Sequence, residues 1–508
     1  MSLISDNKNT ALSVLGAVSA LSAAYSIYRS FSTDKTKLEI PTPNSCYPYV
    51  GHLLSLGDLP GKKIAEWHTK YGPIINVRMG VQNWICIGDP TLAHELFVTN
   101  YNIESAGRHY ATYSSKYYSF GKKGIVFADA DAGWKKARSV VLNVLAPKAV
   151  EKYLDLIEHG SSDLVDRLIQ ATKADGSVNP SKNLELYSLS IISKVTLGKK
   201  FESVEDPDFK KISYIVEEGI KMAGPDYDMP NFLPIFGPVN YYFGVEKKMR
   251  DFVKNERDVY FRKYIEESRK NKVENMITAL LYDDEIFDEE EVLVIISDML
   301  AAGSETVSTT LSWAMCILCN YPDVQKKMQD ELDAFVQKNG SLPKFVDRPD
   351  IPYCASVIRE CMRYKSTTPF GIPHRATKEL NIRGYTIPKD SILISSMDAM
   401  HVGAGYYADQ EAFVPDRFLH DPKTMTAASN GKFSERDHFN FGWGRRLCPG
   451  IYLAEVEIFN AFVSIFAKTT VEPIYENGKA SFPNYSGAKA GGVTTLPLPF
   501  SVRFVERL

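Results

Sequence analysis

The stretch Phe441-Gly442-Trp443-Gly444-Arg445-Arg446-Leu447-Cys448-Pro449-Gly450 decides how the rest of the chain is read. Three glycines and a proline surround one cysteine, which predicts a tight loop whose backbone can approach another group closely. Two arginines precede the sulfur, and cationic side chains and backbone N–H groups favour a thiolate over a thiol. An apolar pattern of helical period, Ile451 to Phe466, begins directly after the loop. Cys448 therefore falls near a helix N-terminus, whose dipole also favours negative charge. A lone thiolate with space in front of it suits an axial ligand to a soft metal or a nucleophile.

Working outward, the longest helix signal starts at Asp288, which with Glu291 makes a capping-box-like pair, and runs to about Asn320, where Tyr321-Pro322 stops it. Its middle is apolar on nearly all sides, as expected of a helix buried through the centre of a large protein. Gly303, Ser304, Glu305 and Thr306 interrupt that middle. A glycine there costs about 1 kcal/mol relative to alanine, and a buried glutamate costs more unless paired. Such local rule-breaking points to function; a packing glycine beside a hydrogen-bonded threonine is the structural alternative.

Further helices are expected over 148–172, 184–197 and 209–222, and a hairpin over Ile74 to Met79 and Trp84 to Ile87. Residues 224–244, with four prolines and several aromatics, read as a loop or a lid. The chain of 508 residues carries 59 basic and 62 acidic side chains, for a net charge of −3, and this lack of basic excess argues against a nucleic-acid partner. Seven cysteines at irregular spacing argue against a disulfide framework and for a reducing compartment. Cys316 and Cys319 form a CxxC pair inside an apolar run with no second pair, so buried helix cysteines are expected rather than zinc ligands. Thr10 to Tyr28 is an uncharged run of 19 residues followed by Arg29, Lys35 and Lys37, consistent with a membrane anchor that keeps the remainder cytoplasmic. The expected organisation is a lumenal tip at 1–9, a transmembrane anchor at 10–28, a proline-rich connector at 29–50 and one catalytic domain at 51–508.

The cysteine segment resembles the FxxGxRxCxG signature of the cytochrome P-450 family at every fixed position: Phe441, Gly444, Arg446, Cys448 and Gly450. Other segments resemble family patterns in the family's order. Glu360 and Arg363 match ExxR, and Phe413-Val414-Pro415-Asp416-Arg417-Phe418 resembles FxPERF with aspartate for glutamate. Ala302-Gly303-Ser304-Glu305-Thr306 looks like the oxygen-activation motif, with Val307 where serine or threonine is usual, and Trp134 and Arg138 match WxxxR. Gly384 to Asp390 resembles eukaryotic members, the chain as a whole resembles fungal ones, and the N-terminal anchor resembles the microsomal ones.

The resemblance implies a mainly α fold with small β-sheets (α+β), the long central helix lying over a haem and the cysteine loop beneath it. It implies haem b with an axial thiolate from Cys448. Glu305 and Thr306 are the implied catalytic pair, passing protons to the oxygen being activated, while Gly303 opens a groove for that oxygen. Trp134, Arg138, Arg446 and His374 are the implied propionate contacts, with Arg375 an alternative to His374 and Arg108 a further candidate. Glu360, Arg363 and Arg417 form an implied structural ion network. The activity implied is a monooxygenase that inserts one atom of O2 into a lipophilic small molecule, steroid-like substrates included. Electrons come from a separate NADPH-dependent flavoprotein reductase, with cytochrome b5 as a second donor, at the endoplasmic reticulum membrane. Lys135, Lys136, Lys432, Arg436 and Arg445 are candidates for a basic docking face. A peroxide-using isomerase or dehydratase and a non-enzymatic haem or lipid carrier are the rival readings; the Glu305–Thr306 pair favours the oxygenase.

Overall fold

The computed structural model describes residues 38–507, apart from 225–226, 283–286, 404 and 422. The expected tip and anchor lie outside the described residues. Helices make up most of the structure, joined by one five-stranded sheet and four two-stranded ones.

The central helix Glu289–Leu318 is the axis of the fold. Asp288 caps it by accepting the Glu291 N–H at 2.8 Å. Residues 292–300 are all buried, as are 309–318, and each large apolar side chain buried there contributes about 1.5–3 kcal/mol. This is the helix among the described residues long and apolar enough to cross a membrane, and its burial inside the fold marks it as a core helix. It packs on Ser181–Leu197, and Ser188 Oγ donates to the Ser304 carbonyl at 2.8 Å across that contact. Helix Ile451–Lys468, entered directly from the cysteine loop, packs on the same core. The expected helices at 148–172, 184–197 and 209–222 are observed as Leu154–Asp175 behind a short irregular turn, Ser181–Leu197 and Pro207–Met222.

In the main sheet, Ile74–Met79 pairs antiparallel with Gln82–Ile87, which runs parallel to Ile392–Ser395. His374–Arg375 adds to that strand, and Gly107–Arg108 forms the far edge. This register places Arg108 opposite His374. The proline-containing segment is tied to a two-stranded sheet at its first described residue and to the main sheet three residues later. Leu38 bridges Tyr385, and the Pro41 carbonyl accepts the Asn76 N–H at 2.8 Å.

Within the stretch 224–244, read from the sequence as a loop or a lid, residues 229–242 are largely helical. Met229–Phe232, Pro234–Phe236 and Gly237–Tyr242 are successive short helical turns, each with a proline in its first two positions. Proline lacks the N–H that a helix start leaves unused, so it begins turns as readily as it ends them.

Candidate active site

The cysteine loop is closed by its own backbone. Cys448 N–H donates to the Phe441 carbonyl at 2.9 Å, Leu447 N–H to Gly444 at 3.1 Å, and Arg446 N–H to Trp443 at 3.2 Å. Gly444 has φ +51°, and a Cβ placed there would lie 2.1 Å from the Phe97 carbonyl oxygen. Both the dihedral and the contact require glycine. Gly444→Ala is therefore expected to displace the loop and remove most of the haem-binding capacity, read as haem retained per protein after purification. Below the loop, Trp443 stacks on Phe439 at 5.1 Å and donates its indole N–H to Ser395 Oγ at 2.8 Å.

Burial is the largest influence on the Cys448 thiol and raises its pKa; the Gly450 N–H and the Arg138 charge oppose it. The expectation that loop and dipole alone favour the thiolate is thus reversed, because desolvation of the sulfur outweighs them. Ionisation falls to a bound metal, which displaces the proton from a coordinating thiol.

Arg108, Arg138, Arg446 and His374 gather on one side of the loop. None of the three guanidinium groups pairs with a carboxylate among the described residues; all three donate to backbone carbonyls. Arg446 reaches Ala106 (3.0 Å), Ile125 (3.3 Å) and Ala128 (2.6 Å), Arg108 reaches Val126 (2.7 Å) and Ile372 (2.8 Å), and Arg138 reaches Leu447. Burial and mutual repulsion depress their basicity, Arg446 to about 9. His374 Nδ1–H donates to the Ser105 carbonyl at 2.9 Å, and burial lowers its pKa well below the usual histidine range. Arg375 is committed elsewhere, paired with Asp129 at 3.1 Å and Asp390 at 2.8 Å. Trp134 departs from expectation in one respect. Its indole N–H bonds the Ile125 carbonyl at 3.0 Å, and its ring is stacked by Arg446 at 4.4 Å and Arg138 at 5.4 Å. The i, i+4 spacing brings Trp134 and Arg138 together as ring and cation rather than as two parallel donors.

On the central helix, Ala302 keeps an exposed surface although the helix is buried at both ends. An exposed alanine at that depth faces space inside the fold. Thr306 Oγ1 donates to the Ala302 carbonyl at 2.7 Å, a back-bond of the kind that often bends helices. Glu305 points the other way and accepts the Thr494 hydroxyl at 2.5 Å. Burial, with Glu185 and Glu217 nearby, raises its pKa to about 7, so it can hold or release a proton near neutrality. Gly303 does not open the groove. A Cβ there would lie 2.7 Å from the Ile192 side chain, so it is a helix-packing glycine.

Two contributors were missed in the sequence. Thr494 stands 189 residues from Glu305, on a hairpin with no pattern that announces it. Asp298 accepts the N–H groups of Ile125 (2.9 Å) and Val126 (3.1 Å), fixing the segment whose carbonyls hold Trp134, Arg446 and Arg108. A lone aspartate in the apolar run before Ala302 was its available signal. Arg436, a candidate for the docking face, is buried, donates to the Gly442 carbonyl at 2.9 Å and stacks on Trp443 at 4.3 Å. It supports the loop from below, while Lys135, Lys136 and Lys432 are exposed. Cys316 and Cys319 are buried at the end of the central helix as expected, and no cluster of metal-ligating groups occurs among the described residues.

A buried sulfur, unpaired cations and interior space beneath the central helix fit a flat, largely apolar group bearing carboxylates and a metal with one open axial position. Fold and site together define a haem-thiolate protein. The chain belongs to the cytochrome P450 family, whose model matches residues 41–504. It is 27% identical to a trans-cinnamate 4-monooxygenase of Ruta graveolens over 82% of this chain and 84% of that one. It is also 27% identical to an amorpha-4,11-diene 12-monooxygenase of Artemisia annua over 89% and 90%. A solved zebra fish cytochrome P450 with progesterone, at 24% identity, superposes with a TM-score of 0.73 over 88% of this chain and 99% of that chain. The chain is accordingly a monooxygenase of a family that carries haem b on a cysteine thiolate.

Proposed function

We propose that this chain is a microsomal monooxygenase that hydroxylates a lipophilic small molecule, steroid-like compounds included, at a haem held by Cys448. Haem, when bound, supplies the iron at which O2 is activated. The observation that carries the reading is the pairing of a glycine-shaped cysteine loop with a central helix that presents Thr306 and a near-neutral carboxyl, Glu305. Arg108, Arg138, Arg446 and His374 are the groups that would receive propionates, with Trp134 stacked between two of them. Thr306, whose hydroxyl donates to the Ala302 carbonyl, would be the alcohol of the relay when haem is bound, and Glu305, steadied by Thr494, would exchange protons with the solvated side of the helix. A cavity of about 2020 Å³ reaches Glu305 from the surface past the sheet and the hairpin around Thr494; neither Thr306 nor Cys448 lines it.

Electrons come from an NADPH-dependent flavoprotein reductase, with cytochrome b5 as a second donor, docking on the face that carries Lys135 and Lys136. The N-terminal segment anchors the domain to the endoplasmic reticulum membrane, facing the cytoplasm. Tyr241, Tyr242 and Phe243 support that placement, being 89%, 84% and 73% exposed on the last of the short helical turns. The Ile235 N–H of the preceding turn donates to Tyr49 Oη at 3.2 Å, joining this patch to the N-terminal side of the domain.

The test is a substrate-binding spectral screen on purified haem protein, followed by product analysis with the reductase and NADPH. Product formed from peroxide alone, at equal rate and without reductase, would favour an isomerase or peroxygenase reading instead. Thr306→Ala is expected to raise hydrogen peroxide released per product several-fold, about the 10²–10⁴ range being the ceiling for a lost proton donor. Unchanged coupling would remove Thr306 from the relay.

A further inference from the structure

The large cavity is lined by neither Cys448, Ala302 nor Thr306, and it carries a cation of its own. Lys365, directly after the helix Pro352–Tyr364, lines it together with Trp313, Tyr364 and Asp398. Trp313 lies about 10 Å along the central helix from Thr306, at roughly 1.5 Å per residue. The half-buried Lys365 places Nζ over the Trp313 ring at 5.1 Å and the Tyr364 ring at 5.3 Å. That Nζ has no carboxylate and no hydrogen-bond acceptor within reach among the described residues. The Trp313 indole N–H is spent on the Thr495 carbonyl at 2.8 Å, which fixes the ring beneath the ammonium. Two nearby charges act on Lys365, the Asp398 carboxylate and the Lys62 ammonium, and they oppose each other. The Cys316 thiol stays neutral, because burial raises its pKa to about 12. Glu411 stands on the exposed rim. Ring faces are worth about 0.5–2 kcal/mol to a cation and leave its three N–H donors unused. Ser312, buried next to Trp313, also lines the cavity, and its Oγ has no hydrogen-bond partner. A partly desolvated ammonium without a counter-ion is costly unless a ligand completes it.

We propose that this part of the cavity is a second binding site, apart from the haem centre, which takes the carboxylate of a fatty-acid-like molecule on Lys365. Leu59, Pro369, Leu496 and Leu498 line the same cavity and supply apolar surface for the chain. A carboxylate accepts from the unused ammonium N–H groups and balances the charge that Asp398 and Lys62 leave uncompensated between them. A cationic ligand would be repelled by both lysines, and a neutral one would leave the ammonium as it is. Such a site needs no iron, so it goes beyond the monooxygenase reading and does not depend on it.

The experiment is equilibrium dialysis of radiolabelled dodecanoate and dodecanol, at neutral pH, against the full-length haem protein with its iron saturated by phenylimidazole. The wild type is expected to bind dodecanoate saturably and about ten-fold more tightly than dodecanol, the size of one charge-assisted hydrogen bond. Lys365→Met, which keeps most of the apolar stem, should bring that ratio close to one, and Lys365→Arg should preserve it. Lys365→Gln gives the same reading as the methionine variant should the latter not fold. Uptake by detergent is common to all the proteins and cancels in the comparison. No saturable dodecanoate binding, or equal affinity for the two probes, overturns the proposal, as does a preference for dodecanoate that survives loss of the Lys365 charge. Each protein's reduced carbon-monoxide spectrum is recorded alongside. Loss of the thiolate signature in the wild type would defeat the haem-thiolate reading and leave the dialysis result to decide the role of Lys365.

Discussion

Cys448→Ala is expected to abolish the thiolate-type spectrum of the reduced, carbon-monoxide-treated protein and, with it, all reductase-dependent product. The reason lies in how little else at that position could serve. The loop aims a single sulfur, closed in by the Cys448–Phe441 backbone bond and by glycines at 442, 444 and 450. The loop carries no second cysteine; Cys86, Cys316, Cys319, Cys354 and Cys361 are buried and Cys46 is half-buried. Of the remaining groups beside the loop, the arginines are committed to carbonyls and cannot coordinate iron, and His374 is held through Nδ1 on the Ser105 carbonyl. Because the Cys448 side chain is small and its loop is held by backbone bonds, the alanine variant should remain folded. Its far-ultraviolet circular dichroism should match the wild type while the spectral signature is lost. A retained signature would mean that another residue ligates the metal.

The second large effect is expected from Glu360→Ala, which should leave little soluble haem protein. Glu360 is fully buried and accepts four bonds: Arg363 Nε (2.7 Å) and Nη2 (2.8 Å), Arg417 Nε (3.0 Å) and the Val414 N–H (2.7 Å). Arg363, equally buried, also donates to the His401, Gln410 and Ala412 carbonyls. From there the support continues to the cysteine loop: His401 accepts the Phe439 N–H at 2.8 Å, and Phe439 stacks on Trp443. Removing one partner of a buried pair costs about 3–5 kcal/mol, because the other charge stays behind. That is a large share of a total stability of about 5–15 kcal/mol. Haem content and thermal midpoint after expression check it. A variant with normal yield and midpoint would show the network to be dispensable.

These two outcomes concern residues that could be picked out of the sequence, for different reasons. Cys448 was legible because its neighbours need backbone freedom that only glycine supplies, and such residues are spaced by local geometry. Glu360 and Arg363 were legible only through their likeness to a family pattern, since an i, i+3 pair alone is usually a solvated surface pair. The periodic helices at 181–197, 207–222 and 289–318 announced themselves because burial imposes a repeat on one chain segment. What did not announce itself was every contact made between segments. Thr494 meets Glu305, Asp298 meets Ile125, and Gly303 meets Ile192 across distances that leave no trace in local order. The turns of 224–244 were misread because proline was taken as a helix breaker where it starts helices. Arg436 was misplaced because charge in sequence does not say which side of a loop it will lie on.

By itself the sequence determined the long buried helix and the cysteine loop, which follow from patterns within short stretches, while the α+β class came through the likeness to a family. Only the tertiary structure decided that burial outweighs the loop's cations at the sulfur and that Trp134 serves as a stacked ring. It alone decided that Gly303 packs on a neighbouring helix. The physical reason is the same in each case: desolvation and hydrogen-bond satisfaction depend on which groups the fold brings into contact, and that is a property of the packed chain rather than of any segment of it.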